Sequence, residues 1–234
     1  MNPKQKTILI TGNRKGIGRY LSEFYLEKGY KVVGCSRSDS DLSHKNYTHY
    51  LCDVKVETEV RSTVREIKKQ NGGVDVLINN AGKASLNHSI LTPSETVKDL
   101  FETNYLGSFL FSRECSKQMI KKKWGRIINF STIAVPLDLE GEMVYASSKS
   151  AIEKMSRIMS KELSTFNITI NTIGPTPIYT DLIKVVPKDK VEEIINKQSI
   201  KRFGSFEDIS NVTDFFIRDE SSFITGQKIY LGGL

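Results

Sequence analysis

The chain has 234 residues, enough for one large domain with a substantial core, and its 38% apolar and 26% charged content is ordinary for a soluble globular protein. No run of about 18 apolar residues occurs, which excludes a membrane-spanning helix. The charged start, residues 1–6, leads into an apolar stretch too short for a secretory signal, so a cytoplasmic location is expected. The net charge of +7 is dispersed apart from Lys121, Lys122 and Lys123, which argues against a nucleic-acid partner and for an anionic ligand.

The first predicted element is a strand, Thr7–Thr11, whose Thr-Ile-Leu-Ile-Thr run suits a parallel strand buried on both faces. Gly12-Asn13-Arg14-Lys15-Gly16-Ile17-Gly18 follows, then a helical pattern over residues 17–28 with Tyr20, Leu21, Phe24 and Tyr25 on one face. A strand, a glycine-punctuated turn and a helix N-terminus together form a cradle for phosphate, because glycine allows close backbone approach and the first helical N–H groups lack partners. The glycine spacing is T-G-x-x-x-G-x-G rather than G-x-G-x-x-G.

A second strand, Lys31–Ser36, ends at Ser36-Arg37, where a dinucleotide fold reads the adenosine ribose. Arg37, with Arg14 and Lys15 nearby, favours a 2′-phosphate and hence NADP(H) over NAD(H), although Asp39 and Asp41 lie close. A third strand over residues 48–51 leads to Cys52-Asp53-Val54, with Asp53 read as an adenine contact, a helix cap, or both. The helix starting near residue 55 stops at Gly72-Gly73, and a fourth strand, residues 74–78, ends in Asn79-Asn80-Ala81-Gly82.

A polar loop, residues 83–93, precedes an apolar-periodic stretch over residues 97–119 that carries Asn104. Asparagine is an indifferent helix former, so a buried one there needs partners or a task. The fifth strand, residues 126–130, delivers Ser131 to the strand end at which open α/β sheets place ligands. Beyond an acidic loop (Asp138, Glu140, Glu142) comes a long helix that begins near Tyr145-Ala146-Ser147-Ser148-Lys149. A sixth strand over residues 168–173 leads to Gly174-Pro175-Thr176-Pro177-Ile178-Tyr179-Thr180. Residues 181–206 are predicted to form a mobile substrate lid with helical content, 207–218 a helix and 227–231 a last strand. Strand and helix alternate throughout, which predicts a single α/β domain: a Rossmann-type, doubly wound parallel sheet of about seven strands with helices on both faces.

Tyr145 and Lys149 are one helical turn apart and project from the same face. A cation there is expected to pull the phenol pKa down toward a working range for acid/base catalysis, although the pair alone also fits a packed ring beside a solvated charge. Cys35, Cys52 and Cys115 read as reduced core thiols, and His44, His49 and His88 lack ligand spacing, so no metal is expected.

Over nearly its whole length the chain resembles the short-chain dehydrogenase/reductase family. The resemblance rests on T-G-x-x-x-G-x-G at Gly12, Gly16 and Gly18, N-N-A-G at Asn79 to Gly82, and Asn104, Ser131, Tyr145 and Lys149 in the family's order. It implies that Tyr145 exchanges a proton with the substrate oxygen, Ser131 hydrogen-bonds that oxygen, Lys149 holds the nicotinamide ribose, and Asn104 binds a relay water. It also implies that Asn80, Ala81 and Gly82 border the cofactor and that Ile178 and Thr180 meet the nicotinamide carboxamide. The family's Pro-Gly after the sixth strand is Pro175-Thr176 here.

Within the family the chain looks most like the β-ketoacyl-acyl-carrier-protein reductases, through residues 121–126 and Ile224-Thr225-Gly226-Gln227. That likeness implies a ketone or acyl-thioester substrate, reduced with NADPH, and an acyl-carrier protein as partner through Lys123; Phe166 stands at the second basic position of those reductases. A solvated helix end explains the lysine run equally well. The alternatives are an NAD-dependent alcohol or polyol dehydrogenase and a non-catalytic dinucleotide-binding regulator. A homodimer or homotetramer is expected, packed through the helices that carry Asn104 and Tyr145.

Overall fold

The computed structural model describes residues 5–181, 183 and 186–233. Seven strands form one parallel sheet in the order β3-β2-β1-β4-β5-β6-β7. The strands are β1 (Thr7–Thr11), β2 (Lys31–Ser36), β3 (Tyr47–Leu51), β4 (Val76–Asn79), β5 (Gly125–Phe130), β6 (Ile168–Gly174) and β7 (Lys228–Tyr230). The helices are α1 (Gly16–Glu27), α2 (Glu57–Asn71), α3 (Ser94–Leu100), α4 (Gly107–Lys122), α5 (Ala134–Leu137), α6 (Met143–Leu163), α7 (Lys188–Lys197) and α8 (Phe206–Ile217).

Successive strand residues point to opposite faces, so the continuous apolar runs feed two cores. Leu9, Val33, Leu77, Ile127 and Ile170 meet Val60 and Ile67 of α2 and Phe111 of α4 on one face. Ile8, Ile10, Val32, Ile128 and Ile173 meet Leu21 and Tyr25 of α1 and Phe216 of α8 on the other. The chain moves outward from β1 through β2 to β3, then crosses to β4 on the other side of β1. That reversal opens a crevice at the carboxyl ends of β1 and β4.

Helix boundaries follow local chemistry. Asp53 Oδ1 accepts from the Lys55 N–H at 3.0 Å and holds a turn, so α2 starts at Glu57, two residues past the sequence expectation. It ends at Lys68 and Lys69 with Gly72 in the left-handed region at φ 78°. Helix α8 starts at Phe206 because Ser205 and Asp208 form a reciprocal capping box. The stretch expected as one helix over 97–119 is α3, a π-helical turn (Phe101–Leu106) and α4 in succession, with Asn104 inside the wide turn.

A polar seam fixes α6 and α4 on the sheet. Asn79 Nδ2 donates to Asn129 Oδ1 at 2.7 Å and Ser112 Oγ at 3.0 Å, and Asn129 Nδ2 donates to Ser156 Oγ at 2.7 Å. Buried amides have to be partnered in this way, so the seam sets the helix register relative to the strands. Within the expected lid, α7 is the regular element; residues 182, 184 and 185 lie outside the described residues. Among the described residues no helix is long and apolar enough to cross a membrane.

Candidate active site

The crevice holds a cleft of about 740 Å³, and the glycine turn forms one wall. Gly12 has φ +67°, and a Cβ there would fall 2.8 Å from Ala81 Cα, so only glycine lets the turn pass beneath the β4 end. Asn80 Nδ2 locks the two together by donating to Thr11 O and Gly12 O at 3.0 Å each. A Cβ at Gly18 would collide with that same amide at 2.5 Å. Helix α1 has no acidic residue in its first turn and no side-chain cap, so its N-terminus faces the cleft with free N–H groups and a positive dipole end.

Arg14, Lys15, Gly16 and Ile17 line this cleft with Ser36, Arg37, Asp53, Val54, Asn80, Ala81, Gly82 and Thr180. Asp41 pairs with Arg19 on α1, and Arg14, Ser36 and Arg37 line the cleft together. Lys15 pairs with Asp181 at 2.7 Å across the mouth. Asn13 plays a different part: fully buried, it donates to Tyr47 Oη at 2.6 Å and Ser22 Oγ at 3.2 Å beneath Gly34, so its side chain braces the turn.

A second cavity of about 150 Å³ continues from the first past Ile17, Asn80, Gly82, Lys83 and Thr180. Ser131, Thr132, Glu142, Tyr145, Lys149, Pro175, Thr176 and Ile178 line it. Asn104 is fully buried, accepts from the Lys83 N–H at 2.8 Å, and donates to Lys83 O and Ser148 Oγ at 2.9 Å each. A Cβ on Gly82 would lie 3.3 Å from both Asn104 Oδ1 and Lys149 Nζ, which places that glycine between the two.

Lys149 is buried, donates to Phe130 O at 2.9 Å and stands 5.9 Å from the Tyr145 ring centroid. Desolvation pushes its pKa down to about 8. The Tyr145 phenol departs from the sequence expectation. Burial pushes it up to about 12, the Glu142 charge adds to that, and a hydrogen bond from the Thr132 hydroxyl opposes it. The ammonium addresses the ring and a main-chain carbonyl, so desolvation prevails at the phenol.

The two adjacent hydroxyls at the end of β5 diverge. Ser131 still pairs with β6, its N–H donating to Ile173 O at 2.7 Å, and its hydroxyl donates to Glu153 Oε1 at 2.5 Å. Thr132, one residue beyond, lines the second cavity together with Tyr145, and its Oγ1 accepts from the Ala134 N–H at 3.2 Å. The signal for this was strand parity: Ser131 shares a face with Asn129, whose amide also reaches α6. Thr176, the departure from Pro-Gly, has its hydroxyl bonded to Gln198 just past α7, so it ties the turn after β6 to the lid.

Several known proteins share this sequence and architecture. The family described as short chain dehydrogenase matches residues 6–191. The 3-oxoacyl-[acyl-carrier-protein] reductase FabG of Escherichia coli (strain K12) is 30% identical over 239 aligned positions, covering 100% of this chain and 98% of that protein. The Vibrio cholerae FabG is 29% identical with the same coverage. Among solved structures, ElxO with NADP bound superposes with a TM-score of 0.89 at 27% identity, covering 97% of each chain. The ligand-free aldohexose dehydrogenase of Thermoplasma acidophilum also gives 0.89, at 25% identity over 99% of this chain and 94% of that one. With a glycine-turn crevice and a Tyr-Lys pair at its inner end, the chain belongs to the short-chain dehydrogenase family and is an oxidoreductase of that family.

Proposed function

We propose that the protein is an NADPH-dependent carbonyl reductase acting on a ketone or 3-oxoacyl group. The observation that carries this is the Thr132–Tyr145–Lys149 arrangement at the inner end of a cleft whose outer wall bears Arg14 and Arg37. The free N-terminus of α1 and the close approach permitted by Gly12 and Gly16 suit a diphosphate, and the two arginines with Ser36 suit a 2′-phosphate. Lys149 would hold the nicotinamide ribose, with Pro175, Ile178 and Thr180 along the nicotinamide side. NADPH, when bound, supplies the hydride.

The chain's own contribution is a proton and a place to put charge. With its pKa near 12, Tyr145 keeps its proton at neutral pH and stands ready as an acid. The Thr132 hydroxyl sits beside it to donate to the same substrate oxygen, a role expected of Ser131 from sequence. The Lys149 ammonium, mostly protonated at pH 7 with its pKa near 8, would return a proton to the site after each turnover. Asn104 would position the water that returns a proton to Lys149.

The names of the FabG relatives support a 3-oxoacyl thioester as the substrate class. An acyl-carrier protein is the partner reading they add. Here Lys121 and Lys123 are exposed, but they precede β5, a strand's length of about 20 Å from Ser131, and Lys122 is paired with Asp75 at 2.6 Å. A homo-oligomer formed through α4 and α6 accompanies the proposal, and light scattering that found only a 26.4 kDa species would refute it. The main test is NADPH consumption against ketones and acyl thioesters. Tyr145→Phe is expected to lower turnover by at least about 100-fold, and a Tyr145→Phe protein with wild-type turnover overturns the reading.

A further inference from the structure

Glu153 is a buried acid that the proposed reaction leaves unused. Tyr145, Lys149 and Glu153 follow one another at four-residue spacing, so the carboxylate lies on the same face of α6, one turn beyond the lysine. It is 6% exposed, yet three donors converge on it. Oε1 accepts from Ser131 Oγ at 2.5 Å and from Tyr230 Oη at 2.6 Å, and Oε2 accepts from Lys228 Nζ at 2.7 Å. Lys228 and Tyr230 are alternate residues on one face of β7, and the Tyr230 ring covers Gly174, where a Cβ would fall 2.2 Å from Cδ1. One carboxylate therefore joins the end of β5, the middle of α6 and the last strand.

The Glu153–Lys228 pair is a poor source of stability, because the carboxylate is desolvated while the ammonium stays 42% exposed, so burial cost and solvent screening both offset their attraction. Direction is what the charged arrangement provides. Three donors on two oxygens fix the Ser131 hydroxyl, while its N–H is held on Ile173 O at 2.7 Å. Ser131 is the last residue so restrained before the chain turns, and Thr132, next along, lines the same cavity as Tyr145.

We propose that Glu153, with Lys228 and Tyr230, clamps Ser131 and so positions the Thr132 hydroxyl for the carbonyl oxygen, which makes the C-terminal strand part of the catalytic support. The proposal rests on the carbonyl-reductase reading for its kinetic consequence alone.

The test compares wild type, Glu153→Gln and the double variant Glu153→Leu/Lys228→Met, which removes both charges together. In Glu153→Gln, kcat falls by between about tenfold and a hundredfold, the cost of a slightly misplaced reacting group, while the Kd for NADPH is unchanged. The double variant keeps the low kcat. A double variant with both wild-type melting temperature and wild-type kcat overturns the clamp and leaves Glu153 a packing residue. If wild type reduces no ketone, the carbonyl-reductase reading fails, and crystal structures of the double variant decide the clamp separately. Displacement of the Thr132 hydroxyl from Tyr145 supports it, and an unmoved hydroxyl overturns it.

Discussion

Lys149→Met should inactivate the enzyme and stabilise the fold. Methionine keeps the length and the apolar stem of the side chain and removes the buried charge. Lowering the lysine pKa from 10.5 to about 8 corresponds to about 3 kcal/mol of desolvation at about 1.4 kcal/mol per pH unit. Loss of the 2.9 Å charge-assisted bond to Phe130 O offsets roughly 1.5–3 kcal/mol of that gain, leaving about 1 kcal/mol. For a domain of this size that is a rise in Tm of about 2–4 °C. The pH dependence gives the gain its signature. Between pH 8 and 10.5 the unfolded chain binds more protons at this site than the folded one, so wild-type stability from this group rises with pH across that window. The advantage of Lys149→Met is therefore complete below pH 8 and fades toward pH 10.5. Scanning calorimetry of both proteins between pH 6 and 10 checks it. A variant that melts no higher than wild type at pH 7, or one whose gain is as large at pH 10, would falsify the assignment of a desolvated ammonium.

Thr132→Val should lower kcat/KM by about 100-fold without changing NADPH affinity, the scale of one lost transition-state donor; equal NADPH-consumption rates for Thr132→Val and wild type would refute its placement. Arg37→Ala should weaken NADPH by at least about tenfold and leave NADH unaffected, as read by fluorescence titration, because only the 2′-phosphate engages the guanidinium. Parallel losses for both cofactors would count against the 2′-phosphate site. Gly34→Ala places a Cβ 2.0 Å from Asn13 Nδ2. Overpacking there should cost about 1–3 kcal/mol in a urea melt and weaken cofactor binding through the displaced glycine turn.

The doubly wound sheet was legible because the central strands are short apolar runs closed by a glycine, asparagine or serine, and the long helices show apolar stripes. The Tyr145–Lys149 spacing was equally plain, since one helical turn fixes who shares a face. Its electrostatics were not, because desolvation depends on what packs over the pair, and those groups come from β5 and the turn after β6. The choice between Ser131 and Thr132 turned on one residue of strand length, decided by continued pairing with Ile173. Glu153 went unread because its partners lie on strands far away in sequence, with Lys228 75 residues on. Thr176 stood out as a departure, but its partner Gln198 could be identified only once α7 was in place.

The wide turn at Phe101–Leu106 has a consequence for what length changes this region tolerates. A π turn holds one residue more than regular α geometry requires. Deleting a single position there would let the ladder close into an uninterrupted α-helix with α4 still in phase with the sheet. What would be lost is the local bulge that carries Asn104 to the Lys83 backbone. Homologous chains that shorten this segment by one residue are therefore expected to keep the α4 packing and to lose the Asn104 contact.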